Sequence, residues 1–100
     1  MSDQTQEPDL SQLREQIDVV DAQWVSLLGQ RFALTRQVGY LKAELGLPAQ
    51  DEARESHQRL RLAILAEDQG IDATMVLHMY DEVVKHVLEE HEAIRRDQGL

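Results

Sequence analysis

The chain contains no cysteine, which excludes disulfides and thiolate metal sites. Two prolines, five glycines and little alternation of β-branched residues point away from strands and towards helices. No apolar run approaches the roughly 20 residues of a membrane span. The opening "MSDQTQEPDL" lacks both an apolar signal core and an Arg-rich transit character. These absences predict one soluble, cytoplasmic domain. Cations are scarce as well: 10 Lys and Arg stand against 19 Asp and Glu, a net charge of −9. Such a field repels nucleic acid and anionic lipid. It also repels a small anion, unless the few cations are gathered in one place. GxGxxG, Walker A, HExxH and GxSxG motifs are missing, and His57, His78, His86 and His91 lack the i,i+4 spacing of a helical metal pair. No metal and no cofactor are expected.

What is present is helical periodicity. Residues 1–8 read as a disordered tail, 9–97 as one helical domain and 98–100 as a second short tail. Asp9 or Ser11 can cap a first helix, since their side-chain oxygens accept from free first-turn N–H groups. Apolar residues then recur at 3-4 spacing: Leu10, Leu13, Ile17, Val20, Trp24, Leu27, Leu34, Val38, Leu41 and Leu45. Gly46 suits the position after a helix end, and Pro48 cannot continue the helix. A second helix is predicted over 51–67, ended at Gly70. A third runs over 73–96, capped by Asp72, with its stripe at Val76, Met79/Tyr80, Val83/Val84, Val87/Leu88 and Ile94.

The first helix is too long for its companions. About 36 residues at 1.5 Å each span about 54 Å, roughly twice the diameter of a domain this size. Two shorter helices cannot cover that rod, so a second copy of the chain is expected to. The prediction is an all-α, intertwined homodimer of three-helix chains, with the long helices paired antiparallel.

Arg31 interrupts the seam where a hydrophobe belongs. An uncompensated guanidinium in a dry seam costs several kcal/mol. It either fixes helix register against an acid of the partner, or waits for a bound anion. Lys42 leaves nearly the same helix face, about 20° away in azimuth and about 16 Å along the axis. Arg54 opens the second helix beside Glu55, just past the turn. Arg14 shares the heptad position of Lys42 but lies about 42 Å away along the rod. In an antiparallel dimer, Arg14 of one chain comes near the Arg31 and Lys42 end of the other. For each cation singly, an ordinary solvated charge is the competing reading.

The ordered set "LREQIDVVDAQWVSLLGQR", "VGYLKAELGLP" and "DEARE" resembles the all-α chorismate mutases, over roughly residues 10–60. The resemblance implies conversion of chorismate, a dianion, to prephenate in aromatic amino-acid synthesis. Carried over position by position, Arg31 and Arg54 would hold substrate carboxylates, and Arg14 would come from the partner subunit. Lys42 would bind a carboxylate and the ether oxygen, Glu55 would accept from the substrate hydroxyl, and Asp51 would help frame the ring. The reaction is pericyclic and needs no nucleophile, metal or obligatory proton transfer. Cations suffice to hold the reactive shape and to stabilise charge on the breaking ether bond.

On the third helix the pattern departs. A Gln or Glu of the family meets the ether oxygen where this chain has His91, with Val87 one turn earlier. His91 is expected to act as a catalytic donor, with Glu90 as the alternative one position away; a histidine simply favoured by the helix dipole is the competing reading. Isochorismate-pyruvate lyases and aminodeoxychorismate mutases use the same scaffold and stay open as alternatives. So does a non-catalytic helical dimer or regulatory module.

Overall fold

The computed structural model describes residues 9–100, and the tail expected at 1–8 lies outside them. Three helices follow in order: α1 (Leu10–Glu44), α2 (Glu52–Asp68) and α3 (Ala73–Asp97). Among the described residues there is no strand, and no helix is long and apolar enough to cross a membrane.

Local chemistry explains each boundary. At α1, the Asp9 carboxylate accepts from the Gln12 N–H at 2.8 Å, and the Gln12 side chain accepts from the Asp9 N–H at 2.9 Å. This reciprocal pair satisfies two donors that the helix leaves open. Asp51 is the N-cap of α2, its side chain accepting from the Arg54 N–H at 3.0 Å. Asp72 serves α3 in the same way through Thr74 at 2.9 Å. The ends use a second shared device. Gly46 at φ 68° and Gly70 at φ 70° stand in the left-handed region just beyond α1 and α2. The amides of Leu47 and Ile71 then reach back to the Lys42 and Ala66 carbonyls at 2.8 and 2.9 Å. These bonds cover carbonyls that a helix end leaves bare.

Two compact units divide the chain between Ala33 and Leu34, inside α1. In the first, the apolar stripe of the helix lies open: Trp24 is 49% exposed and Leu27 61%. In the second, the remainder of α1 joins α2 and α3. Its buried apolar residues are Ala43, Ala49, Ala66, Tyr80 and Ile94, and His91 is the buried polar residue among those described. That core is small. Leu34, Val38, Leu41, Leu45, Leu60 and Ile64 remain exposed.

Within this second unit, α3 is fixed to α1 by a close approach. The His91 Nε2–H donates to the Thr35 carbonyl at 2.7 Å, and the imidazole lies directly over buried Gly39. Beside it, Arg36 pairs with Glu90 at 3.6 Å. Arg59 of α2 and Asp81 of α3 form an ion pair on the outside.

Candidate active site

The α1–α2 corner gathers four of the expected residues through a chain of contacts. Lys42, half-buried in the last turn of α1, donates from Nζ to the Ala49 carbonyl at 3.0 Å. Two residues later Asp51 caps α2, and its carboxylate is occupied by the Arg54 amide. That cap sets Arg54 and Glu55 in the first turn of α2, with Arg54 exposed and Glu55 half-buried. From the other side, Arg95 of α3 donates to the Leu47 carbonyl. The loop between α1 and α2 is thus held at Leu47 and Ala49 by two different cations.

The partner of Lys42 is a neutral carbonyl, which orients an ammonium without cancelling its charge. Two of its three N–H donors remain for other acceptors. Arg36 and Arg59 are held instead by the carboxylates Glu90 and Asp81.

The other expected residues fall elsewhere. Arg14 and Arg31 belong to the first unit, Arg14 exposed and Arg31 half-buried. On α3, Val87 and Glu90 are half-buried, and Glu90 stands 3.6 Å from Arg36 and 3.7 Å from His86. His91 is 4% exposed. A carbonyl can only accept, so Nε2 carries a proton that goes to Thr35, and Nδ1 is enclosed with no hydrogen-bond partner. In this arrangement His91 is a packing contact between α3 and α1. Among the described residues, no group of three or more His, Asp or Glu is placed to hold a metal. Two open grooves, one on α1 around Val19, Gln23 and Leu27 and one on α2 around Leu60, Arg61 and Ile64, contain none of the expected site residues.

Two residues of this corner escape a reading of the sequence. Gly39 gives a weak signal, because a glycine inside a helix costs about 1 kcal/mol relative to alanine and calls for a packing reason. Arg95 gives none, since a basic residue in a last turn already satisfies the helix dipole.

The family model for chorismate mutase type II matches residues 13–92. The chain belongs to that family. Membership places it among enzymes of the isomerase class, and the match reaches into α3, well beyond the motifs of residues 10–60. Among curated relatives, a chorismate mutase of Methanocaldococcus jannaschii is 26% identical over 77% of this chain and 78% of its own length. A T-protein of Enterobacter agglomerans is 31% identical over 92% of this chain, which spans only 24% of that relative. A 4-amino-4-deoxychorismate mutase of Streptomyces venezuelae is 23% identical over 96% of this chain and 93% of its own.

Proposed function

We propose that this chain rearranges chorismate to prephenate, and that it works as a homodimer. The observation that carries the reading is Lys42, an ammonium fixed by a carbonyl at the entry to α2, next to a capped helix start presenting Arg54 and Glu55. In a chain of net charge −9, a cation oriented but not neutralised is suited to an anionic ligand.

In the proposed mechanism, Arg31, Arg54 and Arg14 of the partner subunit bind the two carboxylates and hold the ring in its compact, reactive shape. The free N–H groups of Lys42 meet a carboxylate and the ether oxygen, where negative charge grows as the C–O bond breaks. Glu55 accepts from the ring hydroxyl, and Asp51 fixes the helix start that carries Arg54 and Glu55. His91 contributes by holding α3, with Val87, against α1, and donation to the ether oxygen falls to Lys42. The open apolar stripe from Leu10 to Leu27 supports the dimer. Each such side chain gains about 1.5–3 kcal/mol on full burial, and a second copy of the same helix offers the matching seam.

A second reading keeps the scaffold and changes the substrate. The Streptomyces venezuelae relative matches over nearly its whole length, so 4-amino-4-deoxychorismate belongs in the same test. Purified protein is incubated separately with chorismate, isochorismate and 4-amino-4-deoxychorismate, and the products are identified by chromatography. Prephenate from chorismate, lost in Lys42→Ala, supports the proposal. Turnover of the amino analogue alone selects the second reading, and pyruvate with salicylate from isochorismate selects a lyase. No turnover of any of them leaves a non-catalytic helical dimer.

A further inference from the structure

The loop between α1 and α2 is short of regular backbone partners, so what holds it decides where Lys42 and the start of α2 stand. Beyond the helix-end bonds of the Leu45 and Gly46 amides to the Leu41 and Ala43 carbonyls, three contacts do so. The Leu47 N–H bonds to the Lys42 carbonyl at 2.8 Å, the Ala49 carbonyl accepts from Lys42 Nζ at 3.0 Å, and the Leu47 carbonyl accepts from the Arg95 guanidinium. Only the last comes from another element. Arg95 is itself anchored: it sits one residue after buried Ile94, and its carbonyl accepts from the Leu100 N–H at 2.9 Å, which closes the end of α3. Arg96, its neighbour, is exposed.

We propose that Arg95 is a positioning residue: from the last turn of α3 it holds the α1–α2 loop, and through that loop fixes the Lys42 ammonium and the Asp51-capped start of α2. It touches no substrate. Its guanidinium grips one carbonyl, Lys42 grips another two residues on, and the loop between them has little freedom left. Without Arg95 the loop loses its tether to α3. Ala49 then drifts, and the Lys42 ammonium loses its fixed acceptor.

The sequence supplies its own probe, because Lys42 and Lys85 are the only lysines in the chain. Limited acetylation of the full-length protein, read by peptide mass spectrometry, gives the rate at Lys42 relative to exposed Lys85. The variants are Arg95→Met, Arg95→Lys and Arg96→Met, the last removing the same charge from the same helix end. Arg95→Met is expected to raise the relative labelling of Lys42 at least threefold and to lower kcat/KM for chorismate about tenfold, as expected for a lost charge-assisted hydrogen bond. The loss should fall mainly on kcat. Arg95→Lys should recover much of both effects, and Arg96→Met should match the parent within twofold. If Arg95→Met and Arg96→Met behave alike in labelling, the proposal is wrong. Should Arg95→Met fail to fold by circular dichroism, equal labelling in Arg95→Lys and the parent, with tenfold lower kcat/KM in Arg95→Lys, would equally overturn it. The kinetic arm rests on the chorismate reading and the labelling arm does not. A parent protein that leaves chorismate untouched therefore ends that reading, while the labelling still decides the role of Arg95.

Discussion

Gly39→Ala should destabilise the protein even though alanine is the better helix former. A Cβ at position 39 would lie 2.6 Å from His91 Cδ2, 3.0 Å from His91 Nε2 and 3.0 Å from Ile94 Cδ1. The isoleucine methyl can swing away. The imidazole cannot move freely, because it is buried and tied to the Thr35 carbonyl. Overpacking of this kind costs about 1–3 kcal/mol, and a strained or broken hydrogen bond adds about 1 kcal/mol. The gain in helix propensity returns about 1 kcal/mol. The net loss is about 1–3 kcal/mol, and each kcal/mol shifts Tm by about 4–8 °C in a domain of this size. Thermal melts at one fixed protomer concentration measure it, since Tm of an associating protein depends on concentration. The decisive comparison repeats the substitution in a His91→Ala background. With the ring gone, Gly39→Ala should become neutral or stabilising by up to about 1 kcal/mol, a reversal of sign that only a direct contact produces. A Gly39→Ala protein as stable as the parent would refute the close approach of α1 and α3.

Other consequences are read more simply. Lys42→Ala should lower kcat by about 10²–10³, the scale for removing one electrostatic stabiliser of a transition state, with stopped or continuous loss of chorismate absorbance as the assay. Asp51→Ala removes the α2 cap and should cost about 1 kcal/mol of stability; because the same cap sets Arg54 and Glu55, KM for chorismate should rise as well, whereas Asp51→Asn should keep most of both. Trp24, half exposed on the open stripe of α1, should show a blue-shifted emission that moves red on dilution as the proposed dimer dissociates. An emission independent of concentration over the range where sedimentation shows a change in mass would contradict its place in the interface.

The helices were legible because their ends are written in local chemistry. Asp9, Asp51 and Asp72 cap the starts, and Gly46 and Gly70 mark the ends at the positions their residue types demand. The second helix begins one residue later than periodicity suggests, since Asp51 keeps extended backbone angles (φ −130°, ψ 91°) as the cap itself. The loop was less legible. That Lys42 would turn its ammonium to a carbonyl seven residues on depends on the path of the chain between them, which spacing alone does not encode. His91 shows the limit most clearly. Its hydrophobic phase faces it inward, and the ring is buried, but phase does not encode which groups it meets there. Thr35 and Gly39, against which it packs, lie on another helix.

The treatment of the cations ties these observations together. An acidic chain has more than enough carboxylates to neutralise every Lys and Arg, and neutralising them would be the easy outcome. Arg36 and Arg59 follow it, each facing an acid. Lys42 and Arg95 do not: both are held at the α1–α2 corner by main-chain carbonyls. A carboxylate partner would fix such a side chain more tightly but would cancel its field. A carbonyl gives direction through a dipole and leaves the net charge to act on a ligand. The same choice has a structural cost, because a carbonyl gives a cation a charge-assisted hydrogen bond without the Coulomb attraction of an opposite full charge. A corner built this way needs more than one tether, which is why a lysine from α1 and an arginine from α3 hold carbonyls two residues apart in a single loop.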